Sequence, residues 1–376
     1  LSRWKFMKAM IKHFKNIRTP LIIRIAITVS FFCILLIAVG YSNVFSVSYN
    51  SAETVVKSSI EKIKNATVPI QAPLDKEAYD EKILSVANNP VPATTTASTT
   101  PKMYLWPPKT VYPNAGAILP FNRVIAYYGN FYSERMGALG EYPEDQMLKM
   151  LQAEVTKWTA ADPKTPAIPA IHYIAVTAQS SPGKDGKYRL RMPDDQIDRA
   201  IGLAEKVNGI VFVDIQVGLS TLQSEIPALE KYLKHPLVHL GIDPEFSMKA
   251  GEKPGSVIGF FSANDINYAT NHLAKLVQEY NLPPKILVIH RFTQKMVRDY
   301  QQIKPLPEVQ IVMHMDGWGS PAKKIGTYTH VIIPEPVQFT GFKIFYKNDL
   351  KPPSTRIMVP EDLLKLSPQP LYIQYQ

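Results

Sequence analysis

The sequence predicts an α/β protein whose main domain closes as a (β/α)8 TIM-type barrel. Short apolar or β-branched runs alternate with helix-like segments over residues 121–376, the order that parallel βαβ units require. That stretch is about 255 residues, the size typical of the closed eightfold barrel. No GxxxxGK[ST] loop occurs, and the first strand candidate leads into Gly129-Asn130-Phe131 rather than a glycine-rich dinucleotide turn. An open doubly wound sheet is therefore the weaker expectation.

The elements follow in order. The first strand is expected over 124–128. A helix over 143–158 comes next, with Met147, Leu148, Leu151, Val155 and Trp158 at helical spacing behind Pro143. The second strand covers 170–177 and precedes a helix over 193–207, whose first turn carries Asp194 and Asp195, the favourable sign for the helix dipole. The third strand, 209–217, is followed by a helix over 220–233. The fourth, 237–242, ends in Asp243-Pro244-Glu245, and a helix over 263–280 comes after a polar loop. The fifth strand is 285–290, with a helix at 293–303. The sixth is 309–315, ending in Asp316-Gly317-Trp318-Gly319. The seventh is read at 330–333, ending in Pro334-Glu335-Pro336, which leaves 342–346 in an extended crossover. A helix over 360–366 and a last strand over 371–375 complete the ring.

Ahead of the barrel, charge and hydropathy change abruptly. Residues 1–24 hold seven basic side chains and no acid, whereas residues 101–376 carry a net charge of only +4 out of the chain's +10. The basicity is a short tail, so no nucleic-acid partner is expected for the folded domain. Residues 1–20 read as a cytoplasmic tail and 21–40 as a transmembrane or signal segment, with the rest outside the cell. An uncleaved anchor is preferred to a cleaved signal because no clear small-x-small site follows. Residues 41–120 read as a linker with possible short helices at 51–65 and 75–87, an uncharged Pro- and Thr-rich spacer at 88–101, and an extended lead-in to the barrel domain at 121–376. The single cysteine, Cys33, lies in the apolar run and excludes an internal disulfide or a cysteine-based zinc cluster. An extracellular domain free of cysteine suits a bacterial cell surface.

In a barrel of this class, chemistry gathers where strands end at the C-terminal face. Asp214 and Gln216 alternate with Phe212 in VFVDIQV and so point toward the barrel interior, where a carboxylate needs a partner or a proton. Asp243 and Glu245 flank a proline at the end of strand four, and two close carboxylates push their pKa values apart. Glu245 reaches further and is the better proton donor. Asp316 stands beside Trp318, whose flat face suits the C–H surface of a sugar ring. Glu335 lies between prolines after the expected seventh strand. Tyr127, Tyr128, Asn130, Arg291 and Phe292 are further strand-end candidates for substrate contact. His172, His239, His290 and His314 sit in four different strands, without HxH or HExxH spacing. They read as structural, so no metal and no cofactor is expected. The G-x-S-x-G elbow is absent, which removes the serine-hydrolase reading.

This set of strand-end carboxylates resembles the glycoside-hydrolase-like (β/α)8 barrel superfamily over 121–376, by layout. The resemblance implies a strand-four acid/base at Glu245 and, in one large group, a strand-seven nucleophile at Glu335. Other members place their acids on strands three, four and six, which implies Asp214, Asp243, Glu245 and Asp316. Here Pro244 stands where many members have asparagine, and only the final D-x-E of a longer acidic motif is present. The implied activity is cleavage of a cell-envelope or exopolysaccharide glycan. Two alternatives are a tethered carbohydrate-binding or envelope scaffold protein, and a metal-dependent hydrolase or polysaccharide deacetylase built on His290, His314 and a carboxylate.

Overall fold

The computed structural model describes residues 72–90 and 103–376; the expected tail, the membrane or signal segment and the 51–65 helix lie outside the described residues. No described helix is long and apolar enough to cross a membrane.

Eight parallel strands close into a ring: β1 (Arg123–Gly129), β2 (Ala167–Ala178), β3 (Ile210–Ile215), β4 (Val238–Ile242), β5 (Lys285–Arg291), β6 (Val309–Met315), β7 (Phe339–Ile344) and β8 (Tyr372–Tyr375). Closure is made by β1, which pairs with β2 on one side (Tyr128 opposite His172) and with β8 on the other (Val124 opposite Tyr372). A short strand, Arg189–Arg191, adds antiparallel to the end of β2.

Strand alternation sorts the side chains into two cores. Ile125, Tyr127, Val211, Val213, Leu287 and Ile289 face outward, against the helices. Val124, Ala126, Phe212, Ile286, Val288 and Val312 face inward. The helices of the outer layer include α2 (Glu144–Ala161), α3 (Asp194–Lys206) and α5 (Ala263–Tyr280). Ser262 caps α5 reciprocally with Asp265, which satisfies two orphan donors of its first turn.

Helix α1 (Lys76–Ala87) falls in the stretch read as linker, yet its Val86 joins Leu119, Val124, Phe339 and Leu371 in the inner apolar cluster. Gln310, near the start of β6, accepts from the Ile118 and Leu119 amides at 3.1 Å each and donates to the Leu119 carbonyl at 2.6 Å. The lead-in segment thereby covers the N-terminal end of the barrel.

Three expected elements differ. The run at 330–333 is not the seventh strand. Ser320 caps a helix, α6 (Pro321–Thr327), that continues as a wider turn through Tyr328–Ile332. Lys324, Tyr328 and Ile332 recur every four residues and are all buried, and this helical period overrides the β-branched composition of HVII. The seventh strand is Phe339–Ile344, the run expected to be crossover. The helix at 293–303 is replaced by two 3-10 turns around Val297–Arg298, which pairs with Phe261–Ser262. Asp299, at φ +57°, lies in the left-handed region and breaks any helical continuation there. The helix at 220–233 is divided into α4 (Leu222–Ala228) and a single turn, Glu230–Leu233, with Pro227 near the break.

Candidate active site

A cleft of about 560 Å³ opens at the C-terminal mouth. Tyr128 comes from β1, Gln216 follows β3, Asp243 and Glu245 follow β4, Phe292 follows β5, Asp316 and Trp318 follow β6, and Lys343 comes from β7. All of them line the one cleft. The β7 contribution exists because FTGFKI alternates, with Phe342 and Ile344 in the outer core and Lys343 on the inner side.

The local geometry of Asp243 and Glu245 comes from the proline between them. Pro244 opens a 3-10 turn, and the Asp243 side chain caps it by accepting the Glu245 amide at 2.9 Å. Asp243 is buried, and Gln216 Nε2 lies 3.4 Å from its other oxygen. Burial, aided by the like charges of Glu245, Asp214 and Asp316 against the opposing pull of His290, pushes the Asp243 carboxyl up to about 8. The Glu245 carboxyl has no hydrogen-bond or ion-pair partner among the described residues, and it faces the cleft. Burial first, then the negative Asp316, raise it to about 7 against the pull of Lys343 and His290.

Asp316 behaves oppositely. Lys343 Nζ stands 3.0 Å from one of its oxygens, and His290 Nδ1 lies 2.7 Å from the other. Burial alone would raise this carboxyl, but Lys343 and His290 outweigh it and hold Asp316 well below the usual carboxylate range. Lys343 also sits over the Tyr128 ring at 4.0 Å, which fixes the ammonium between an anion and a π face. Trp318, 46% exposed, presents its ring at the rim beside Lys323 and Lys351, 4.6 and 5.2 Å from its centroid.

Asp214 points into the barrel but not into the cleft. It is sealed below Tyr128, whose hydroxyl donates to it at 3.2 Å, and lies beside His172 and His290. Burial opposes its charge, yet His290 and His172 outweigh burial and keep it ionised well below its ordinary range. His290, despite burial, is raised to about 10 by Asp214 and Asp316, whereas burial lowers His172 to about 4.

Four expected site residues lie elsewhere. Tyr127 is on the outer side of β1 and pairs with the Tyr346 hydroxyl at 2.7 Å, because successive strand residues face opposite ways and Tyr128 is the inward one. Asn130 is buried as a loop tie, donating to the Ile174 carbonyl at 3.0 Å and accepting the Tyr132 amide at 2.9 Å. Arg291 also takes the outward register next to His290, and it is fully buried against the Gln294 carbonyl and Glu335. Glu335 precedes β7 instead of following a strand, and its carboxylate is spent on Arg291. It cannot serve as a strand-seven nucleophile.

Lys343 is the charged cleft residue nearest the acids that was not expected from the sequence; Arg135 and Lys323 also line the cleft without having been expected there. Lys343 was hidden by the wrong seventh strand, although the period-two pattern FTGFKI marks it. His172, expected to be structural, belongs to the buried polar layer below the cleft: β2 begins at Ala167, three residues upstream of the expected start, and sets His172 opposite Phe212.

The layout is that of a closed (β/α)8 barrel, a ring of eight parallel strands with acids at its mouth. No family model matches the chain, and no curated protein matches it. Among solved structures it is similar to the cellulase Cel5C_n, at 14% identity and a TM-score of 0.34, covering 59% of this chain and 65% of that one. It is also similar to a hyperthermophilic endo-beta-1,4-glucanase solved in complex with substrate, at 11% identity and a TM-score of 0.29, covering 52% of this chain and 60% of that one. The chain thus spans less than two thirds of either protein. The barrel assignment stands on this chain's own strand pairing, and the two similarities assign no role to any residue.

Proposed function

We propose that this barrel cleaves a glycan, with Glu245 as the general acid. The observation that carries the reading is the pairing in one cleft of an unpartnered, partly buried Glu245 with Asp316, kept ionised by its ion pair to Lys343. Two carboxyls driven to opposite protonation states are what glycosidic cleavage requires. Glu245 would protonate the leaving oxygen, and that carboxyl is free to do so because nothing else binds it. Asp316 is the second carboxylate of choice, since Asp214 is sealed beneath Tyr128 and Glu335 is committed outside the ring. Trp318 would stack on the sugar, while Tyr128, Gln216 and Lys343 offer polar contacts to hydroxyls. Product stereochemistry reports the role of Asp316: a carboxyl separation of about 5 Å gives retention, and about 6.5–9.5 Å gives inversion.

The apolar run at 21–40 behind a basic tail supports a membrane-tethered placement with the barrel outside the cell, where a wall or exopolysaccharide glycan is the natural substrate class. The test is a screen of the full chain against such glycans, with Glu245→Gln as control. Release of reducing ends by the wild type and at least a hundredfold loss in the variant is the expected result. Equal turnover by both ends the assignment.

One observation favours a second reading, a carbohydrate-binding module without turnover. Asp316 is held on both oxygens by Lys343 and His290, which lowers its basicity. Glycan retention by the wild type and by Glu245→Gln alike, with no product from either, would select it.

A further inference from the structure

We infer that His172, Asp214 and His290 form a site for one divalent transition-metal ion inside the barrel, directly below the cleft floor. This inference stands apart from the glycan reading and does not need it.

The three residues come from β2, β3 and β5, so no spacing within one segment announces them. Their donor atoms converge. His172 Nε2 lies 3.2 Å and His290 Nε2 lies 3.4 Å from the same Asp214 oxygen, Oδ1, and all three atoms fall within 4.8 Å of one another. Ligands about 2.0–2.2 Å from a tetrahedral zinc lie roughly 3.3–3.6 Å apart, so the two histidine–carboxylate spacings are close to those of a shared ion.

A hydrogen-bonded cluster without metal would give similar distances, but its donors would aim at its acceptors. Here they do not. His172 Nε2, His290 Nε2 and Asp214 Oδ1 are each fully buried and make no aligned hydrogen bond. Such atoms are costly to leave unsatisfied, and three of them around one point call for a common occupant.

The opposite end of every donor group is held by another residue. His172 Nδ1 meets the Tyr372 hydroxyl at 2.5 Å, His290 Nδ1 meets Asp316 Oδ2 at 2.7 Å, and Asp214 Oδ2 accepts from Tyr128 at 3.2 Å. Metal-binding histidines are oriented in this way, with the far ring nitrogen on a carboxylate or another polar group, and His290, protonated on both nitrogens when no ion is bound, releases its Nε2 proton as the ion enters. Space is kept by Gly241 on β4, where a Cβ would come within 2.3 Å of Asp214 Oδ1 and 2.6 Å of His172 Nε2. Two imidazoles and one carboxylate suit iron, cobalt, nickel or zinc, whereas calcium and magnesium prefer all-oxygen sets.

The experiment uses the full chain in mild detergent, purified without an affinity histidine tag, stripped with a chelator and titrated with Co2+. The expected result is uptake of one equivalent, with a visible ligand-field absorption that Asp214→Asn and His172→Gln abolish. Asp316→Asn should keep the band while weakening affinity by about 10–100-fold. If the stripped wild type keeps its circular dichroism but takes up no Co2+, or if both ligand variants bind it undiminished, the inference is overturned and the cluster is bridged by protons. Should the variants fail to fold, the wild-type histidine resonances decide. Zn2+ must shift those of His172 and His290 and leave exposed His330 in place; shifts confined to exposed histidines overturn it.

Discussion

Glu245 carries a consequence for stability that needs no substrate to detect. Its carboxyl is raised from 4.5 to about 7 in the fold, chiefly by burial and then by Asp316. A folded-state pKa above the unfolded one means that the native protein holds more protons between those two values. Stability therefore falls as pH rises through that window, and the loss is complete above it. A carboxyl moved from 4.5 to about 7 corresponds to about 3 kcal/mol. Replacing Glu245 with Gln removes the charge and keeps the shape. The variant should match the wild type near pH 4.5 and exceed it by about 3 kcal/mol at pH 8. Buried Asp243, raised in the same direction, leaves a residual slope in both proteins. The groups facing Glu245 are Asp316, Lys343, His290 and Asp243, and the substitution leaves all four in place. Urea unfolding across this pH range, followed by circular dichroism, measures the difference. Parallel stability curves for the two proteins would refute the claim that Glu245 is held protonated by its surroundings. In a turnover assay the same property makes the rate fall tenfold per pH unit above about 7, since a general acid must carry its proton.

Three further outcomes follow from the geometry. Gly241→Ala should destabilise by about 1–3 kcal/mol, because the new methyl meets Asp214 and His172 at 2.3 and 2.6 Å; thermal unfolding measures it. Trp318→Ala should leave stability within about 0.5 kcal/mol, as expected for an exposed rim side chain, yet weaken glycan binding in an affinity-gel assay. Glu335→Gln should cost about 3 kcal/mol by stranding buried Arg291, while the folded variant keeps wild-type turnover, a split that combined unfolding and kinetic assays resolve.

Seven of the eight strands were legible as runs of apolar or β-branched residues, because a strand buried on both faces cannot hide its composition. The exception shows where that signal fails. HVII has strand composition, but Lys324, Tyr328 and Ile332 impose a four-residue period that only a longer window detects. That one error moved Glu335 to the mouth and removed Lys343 from it. The inward register of Asp214 and Gln216 could be read from alternation with Phe212, and the Asp243-Pro244-Glu245 turn from its proline. How the acids share charge could not be read, since Lys343 and His290 reach Asp316 from the two neighbouring strands, β7 and β5, which lie apart in sequence. Tyr127, Asn130 and Arg291 were misplaced for a simpler reason. Each sits one residue from an inward position or just past a strand end, and a one-residue step reverses the face.

The barrel interior divides along its axis. Toward the covered end, Val124, Ala126, Ile210, Ile286, Val312 and Phe339 pack as an ordinary apolar core under Leu119. Toward the mouth the same ring holds Tyr128, His172, Asp214, His290, Asp316 and Lys343, all buried or nearly so. Filling that half with branched aliphatic residues, as barrels commonly do, would avoid the desolvation of at least three formal charges. The polar stack must therefore be offset by the apolar outer layer, where Ile125, Ile171, Val211, Leu240, Leu287 and Ile311 are sealed beneath helices. A fold that places such a stack at its open end has set unfavourable electrostatics where a ligand can use them. The six groups form one connected network, from Tyr128 and His172 through Asp214 and His290 to Asp316 and Lys343. Perturbation of any one member should therefore be felt at Glu245, which listens to Asp316, Lys343 and His290 without touching them. Double-mutant cycles between Asp214→Asn and Glu245→Gln measure that coupling as a non-additive change in unfolding free energy, and strictly additive values would disconnect the buried stack from the cleft.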